Sequence, residues 1–357
     1  MGLKPHYIRH NRINSIPQNI IFYDTETYET ANNGIRMAKL RLGWARYIRL
    51  DSIRVKHDEW FRFNSPSEFW DFVESKARRK TRLWLISHNQ HFDFNVTNGF
   101  RELAKRGWEL RKFVIDSDIF ILHYTKNDSR LAVIDTLNYI KAKLEDMGKQ
   151  IGLEKLKVDF NNVSDEELSK YCMRDVEILS TWFINFLKWW KCHDLGKFGE
   201  TVSQLAFNAY RHAFMNYKLL VHNNQDAIRL ELDSYRGGRN ECFRLGEYRG
   251  EFYKLDVNSM YPFVMAYNYY PTKLIRYTKN LTVKQLRDYI DYYNVIARVK
   301  VEIDEPAIAL KREKLIFPVG RFTVTLTTPE LHYAFKYGKI LDVYEAAIYK
   351  GEMIFSA

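Results

Sequence analysis

Cysteine is scarce in this chain: 357 residues contain three, Cys172, Cys192 and Cys242, and no two stand in a Cys-x-x-Cys spacing. An odd, sparse set argues against a disulfide framework or a zinc site of the usual spacing, and fits a reducing compartment. There is no run of 18 apolar residues, which excludes a membrane-spanning helix by hydropathy, and the opening Met-Gly-Leu-Lys-Pro-His lacks the apolar core of a signal peptide. The expectation is an intracellular protein with no membrane partner. Acidic charge is in deficit, 44 Asp and Glu against 55 Lys and Arg, for a formal net charge of +11. The surplus is scattered among aromatics, a balance that favours a polyanion, because neutralised phosphates release counterions and bases stack on rings. Composition alone is equally compatible with a basic protein that binds no nucleic acid.

What is present in quantity is material for a core: 46% apolar residues and 15% aromatics, including 24 Tyr and 23 Phe. A chain of this length exceeds one ordinary core and implies two domains, or one with large insertions.

The stretch Ile20-Ile21-Phe22-Tyr23-Asp24-Thr25-Glu26-Thr27 is an apolar run ending in two carboxylates one residue apart. On a strand, Asp24 and Glu26 share a face and Thr25 points away. Two carboxylates on one face repel unless a cation lies between them, and magnesium favours oxygen ligands. By itself the pattern is also that of a strand leaving the core for solvent. Lys39 to Asp51 reads as a second strand and hairpin partner, and Ser67 to Arg79 as a helix capped by Ser67 and closed by Arg78-Arg79-Lys80.

Leu83-Trp84-Leu85-Ile86 reads as a buried strand running into Ser87-His88-Asn89-Gln90-His91-Phe92-Asp93, so a third acid lies just past a strand end, where α/β folds place ligands. His88 and His91 have no further His at a ligand spacing and read as loop residues supporting the site. Phe113 to Tyr124 and Arg130 to Leu137 read as strands. Ser164-Asp165-Glu166-Glu167 has the form of a helix start, and on that helix Tyr171 and Asp175 stand four apart on one face. In this order over about 150 residues, the four carboxylates can hold two divalent ions, one activating water and the other stabilising the leaving oxygen of a phosphodiester.

These segments resemble the Exo I, Exo II and Exo III motifs of proofreading 3′→5′ exonucleases, which have an RNase H-like fold. The resemblance implies Asp24, Glu26, Asp93 and Asp175 as ligands of two Mg²⁺ or Mn²⁺ ions, Tyr171 as the residue orienting the attacking water, and Thr27, Asn89 and Phe92 as contacts to a single-stranded 3′ end. Thr136-Leu137 is similar to a Ser/Thr-Leu motif that grips the same strand. One position departs: Val96 stands where protein-primed members often carry an aromatic.

Beyond the aromatic helical stretch Thr181 to Trp190 and a further helical stretch, Thr201 to Met215, comes Tyr235-Arg236-Gly237-Gly238. Adjacent glycines let a backbone approach a ligand closely, and arginine suits a phosphate. Phe252-Tyr253-Lys254-Leu255-Asp256-Val257-Asn258-Ser259-Met260-Tyr261-Pro262 resembles motif A of family B DNA polymerases, and Tyr-x-Gly-Gly resembles the motif linking their exonuclease and polymerase domains. The resemblance implies that Asp256 binds catalytic magnesium, Ser259 and Met260 lie along a triphosphate, Tyr261 excludes a 2′-hydroxyl, and Tyr235, Arg236, Gly237 and Gly238 meet the template. Asn294 to Val299 reads as a strand. Phe317-Pro318-Val319-Gly320-Arg321 and Thr328-Pro329-Glu330-Leu331 look like the segment that follows motif A in the protein-primed branch, whose insertion binds terminal protein or primer-template.

A Lys-bearing fingers motif, a Tyr-x-Asp-Thr-Asp motif and a thumb do not appear before Ala357. The expected organisation is therefore an α/β chain: an RNase H-like exonuclease domain over 1–190, a helical connection over 191–240, and an incomplete α+β palm over 241–357. DNA is the expected partner, as a single-stranded 3′ end and as primer-template. Deoxynucleoside triphosphates, a terminal priming protein and a second chain completing the polymerase are the further partners implied. Two other readings are a stand-alone exonuclease for repair or RNA trimming, and a DNA-binding module without catalysis.

Overall fold

The computed structural model describes residues 4–32, 35–116, 119–160 and 162–355, with the backbone alone at 29–32 and 35–37. The chain divides into two compact units, one of residues 10–215 and one formed by 216–357 with 1–9.

The 10–215 unit is built on a seven-stranded mixed sheet. Its strands are β1 (Asn19–Asn32), β2 (Ile35–Asp51), β3 (Arg54–Phe63), β4 (Arg82–Ser87), β5 (Glu109–Asp116), β6 (Ile119–Lys126) and β7 (Ser129–Asp135), in the order β3-β2-β1-β4-β7-β6-β5. The β1/β4 and β4/β7 pairs are parallel and the rest antiparallel. Alternation along β1 explains its place. Ile20 and Phe22 pack against Val176 and Phe183 of the long helix α5 (Asp165–Cys192), while Ile21 and Tyr23 pack on the other face against Phe69 and Trp70 of α1 (Pro66–Lys76). A central strand with both faces covered reads as an unbroken apolar run. Asp24 and Glu26 continue the face that carries Ile20 and Phe22.

Helices α2 (Gln90–Val96) and α3 (Gly99–Lys105) follow β4, and α4 (Leu144–Gln150) precedes α5. Ser164 caps α5 and forms a capping box with Glu167, as its sequence announces. Three side chains of β2 tie the sheet to that helix: Arg41 donates to Asp165 at 2.7 Å, the Trp44 indole to Ser169 at 2.9 Å, and Arg46 to Ser180 at 2.9 Å. A further helix, α6 (Val202–Ala209), is capped by Thr201.

Two local expectations are corrected. Ser65, not Ser67, caps α1, because Glu68 stands three residues later to close the capping box; the helix ends at Lys76, before Arg78-Arg79-Lys80. Phe113 to Tyr124 is not one strand: the stretch divides between β5 and β6, which pair antiparallel with Ile115 opposite Phe120. The strand β3, to which the sequence alone assigns no element, pairs along β2 with most of its side chains exposed.

In the second unit a four-stranded antiparallel sheet runs β8 (Tyr270–Thr278), β11 (Lys339–Glu352), β9 (Asn294–Ile303), β10 (Gly320–Thr327). Helices α9 (Val283–Ile290) and α10 (Thr328–Tyr337) pack on it through Leu286, Ile290, Leu331 and Ala334. Ala227 and Leu230 of α7 (Gln225–Ser234) pack against Ala347 and Tyr349. Between α7 and the short α8 (Met260–Tyr267), residues 239–258 are exposed and carry no strand. The stretch leading into Asp256 therefore forms no strand here. Strand backbone needs a ladder partner, and none pairs with this stretch among the described residues.

Candidate active site

Three elements converge on one acidic group in the 10–215 unit. Asp24 and Glu26 come from β1, Asp93 from the first turn of α2 immediately after β4, and Asp175 from the buried face of α5. Asp93 and Asp175 are 2% and 3% exposed, so their charges cannot be left to bulk water. Thr25, on the opposite face of β1 from its two acidic neighbours, donates to Asp93 Oδ1 at 2.6 Å. The β1/β2 register shifts between Glu26 and Thr27, leaving Thr27 half-buried just past the bulge.

The charges are mutually unfavourable. Burial, then Asp93, Asp175 and Glu26, push the Asp24 carboxyl well above the usual range. Burial followed by Asp175 moves Glu26 up to about 7, and burial moves Asp93 up to about 7 against hydrogen bonds from Thr25 and Ser87. Asp175 is raised by burial and held back by Lys155. Lys155, which precedes α5, ion-pairs with Asp175 Oδ2, and its ammonium lies 4.8 Å from the centre of the Tyr171 ring. Burial alone would lower the Lys155 pKa, but Asp175 reverses this and holds the ammonium charged. Asp175 Oδ1 is buried without a hydrogen-bond partner.

This donor set fits divalent cations. Carboxylate oxygens are the ligands hard ions prefer, one buried oxygen lacks a hydrogen-bond partner among the described residues, and a cation would relieve the repulsion that pushes Glu26 and Asp93 toward 7. One ligand atom each from Asp24, Glu26 and Cys172 also lie within 4.8 Å of one another.

The expected strand contacts divide between an open cleft and an interior network. Asn89 and Leu137 line a cleft of about 500 Å³ together with His91, Phe120 and Asp135, and Phe92 is 40% exposed. Thr136 is fully buried, 2.9 Å from His88 Nδ1 and donating to Ser87 O. His88 therefore supports the loop, as its spacing implies. Val96 is buried and offers no exposed surface for stacking.

Two residues that hold the site escaped sequence reading. Asp135 accepts the backbone N–H groups of Asn89 at 3.2 Å, Gln90 at 2.7 Å and Leu137 at 2.8 Å, and so fixes the start of the helix that carries Asp93. Lys155 lies in a stretch without regular structure. Its only sequence signal is a lysine ahead of the Ser164 cap, which does not by itself name a partner.

The residues matched to motif A lie on exposed backbone. Asp256 lies in the exposed 239–258 stretch; Ser259 precedes α8 with φ +56°, and Met260 and Tyr261 begin that helix, 46% and 71% exposed. Tyr235 is 76% exposed, whereas the Arg236 side chain is buried, pairing with Glu330 at 2.7 Å and donating to the Thr325 carbonyl. Nothing lies within 4 Å of where a Cβ would sit on Gly237 or Gly238, so the backbone there is open to approach.

The model of the family described as DNA polymerase type B, organellar and viral, matches residues 152–357, more than half of the chain. The chain belongs to that family. Among curated proteins it is similar to a probable DNA polymerase of Neurospora intermedia, 26% identical over 316 residues that cover 80% of this chain and 31% of the relative. Among solved structures it is similar to phi29 DNA polymerase complexed with primer-template DNA and incoming nucleotides, with a TM-score of 0.63 at 16% identity. It also matches the same polymerase complexed with single-stranded DNA, with a TM-score of 0.58 at 16% identity. These alignments cover 95% and 94% of this chain and 62% and 61% of the phi29 chains. The chain thus spans about a third of the curated relative and about three-fifths of the structures it matches.

Proposed function

We propose that this chain carries the 3′→5′ proofreading exonuclease, in an RNase H-like domain, and the beginning of the palm of a protein-primed DNA polymerase. The observation that carries the reading is the convergence of Asp24, Glu26, Asp93 and Asp175 with Tyr171 and Lys155 around one buried acidic centre. Asp24, Glu26, Asp93 and Asp175 would hold two Mg²⁺ or Mn²⁺ ions, which supply Lewis-acid activation of water and stabilisation of the leaving 3′ oxygen. Tyr171 orients the attacking water. Lys155 keeps Asp175 ionised and offers positive charge beside the phosphate under attack. Asn89 and Leu137, which line the cleft, together with the exposed Phe92 and the half-buried Thr27, guide a single-stranded 3′ end, and the buried Thr136 holds the loop through Ser87 and His88.

The family match through residue 357 favours a polymerase over a stand-alone nuclease. Asp256, Ser259, Met260 and Tyr261 would take metal and a deoxynucleoside triphosphate, and Tyr235 with Gly237 and Gly238 the template, when the remaining polymerase elements and a priming protein are present. A denaturing gel of a 5′-labelled primer on a longer template, with magnesium and all four deoxynucleotides, tests this. Stepwise shortening by this chain alone is expected; extension would show that synthesis needs nothing further, and no change at all would remove the nuclease.

A further inference from the structure

Cys172 stands beside the carboxylates where an oxygen-only metal site needs no sulfur. The residue is fully buried on α5, one position after Tyr171 and three before Asp175, on the face turned to β1. Its Sγ is 3.4 Å from the carbonyl oxygen of Asp24 and 3.6 Å from Asp24 Oδ2. In tetrahedral zinc sites, metal–sulfur and metal–oxygen bonds of about 2.3 and 2.0–2.2 Å place the two donors roughly 3.5 Å apart. The Cys172–Asp24 spacing already has that value before any ion arrives, and Glu26 supplies a third ligand atom within 4.8 Å of both. A second observation points the same way: Asp175 Oδ1, on the same helix one turn later, is buried and unpartnered.

We infer that Asp24, Glu26 and Cys172 form a chelating site for a thiophilic divalent ion of the zinc and cadmium class, and that such an ion displaces magnesium there. Thiolate selects these ions over magnesium, which keeps to oxygen ligands. Burial and the neighbouring Asp24 and Glu26 carboxylates hold the free thiol protonated, so on binding the thiol proton would pass to solvent as the sulfur–metal bond forms. Ion binding follows from this donor set alone. Its consequence, inhibition of strand shortening by zinc or cadmium, rests on the proposed nuclease.

Cys192 and Cys242 are exposed, so the test uses the full chain with Cys192→Ser and Cys242→Ser. Cadmium is titrated in magnesium buffer, following the ultraviolet sulfur-to-cadmium charge-transfer band, while digestion of a 5′-labelled single strand is measured on the same samples. The expected result is a band saturating at one equivalent, absent in Cys172→Ser, with cadmium affinity at least tenfold weaker in Asp24→Asn, which retains the thiol. No band in the parent protein, a band that survives Cys172→Ser, or unchanged affinity in Asp24→Asn would overturn the inference. A band without any magnesium-dependent digestion would leave the ion site standing and remove the nuclease, whereas digestion without a band would do the reverse.

Discussion

Two aspartates follow similar stretches and meet opposite fates. Ile20-Ile21-Phe22-Tyr23 leads to Asp24, and Phe252-Tyr253-Lys254-Leu255 leads to Asp256. The first stretch is flanked by β2 and β4, its four apolar side chains are fully buried, and three further carboxylates gather at its end. In the second, Phe252, Tyr253 and Leu255 are 72%, 81% and 90% exposed, and no strand pairs with it among the described residues. A motif thus specifies ligands and alternation, but a site requires the neighbouring strands that desolvate one face and hold the carboxylate in place. The same contrast separates Arg236, buried against Glu330, from its exposed neighbour Tyr235.

That contrast can be broken most sharply at the carboxylates. Asp24→Ala or Asp175→Ala is expected to slow strand shortening on the order of a thousandfold, whereas Asp256→Ala leaves it unchanged; equal losses, read by single-turnover digestion, would erase the distinction. In the core, Phe22→Ala removes a ring packed edge-on to Phe183 at 5.7 Å. It should cost about 3–5 kcal/mol of unfolding free energy, against less than about 0.5 for Phe252→Ala, both measured by urea unfolding.

A smaller effect separates the acidic centre from an ordinary surface by pH. Glu26 and Asp93 have folded-state values near 7, above the carboxylate values near 4 of an unfolded chain. Between these limits the folded state binds more protons, so stability falls as pH rises from about 4 to 7 and levels off above it. Melting curves without divalent ions should show that slope, and magnesium at pH 7.5 should restore the loss. Glu26→Gln should flatten the slope; an unchanged slope would mean that these carboxyls are not destabilising each other.

Much of the acidic centre could be read from the chain because each carboxylate sits at a local landmark: Asp24 and Glu26 at the end of an apolar run, Asp93 just past a strand, and Asp175 one turn after Tyr171 on a helix announced by its Ser164 cap. Lys155, Asp135 and Cys172 could not, since each acquires its role through a partner distant in sequence: Lys155 with Asp175, Asp135 with the backbone at Asn89 and Gln90, and Cys172 with Asp24. Ser65 was legible in principle, as Glu68 three residues on is the signal that decides between it and Ser67. The pairing of β5 with β6 was legible in principle too, as Asp116-Ser117-Asp118 between two apolar runs is the polar cluster that signals a turn within 113–124.

If the buried carboxylates form a metal-dependent 3′→5′ nuclease site, digestion must depend on both the ion and Asp24. The most direct test follows a single-stranded oligonucleotide labelled at its 5′ end, with and without magnesium, using the wild-type chain and Asp24→Ala. The expected result is a ladder of labelled products shortened one nucleotide at a time, only with the ion and only with Asp24 in place. Equal digestion by both proteins, or immediate release of the 5′ label as a mononucleotide, would contradict it.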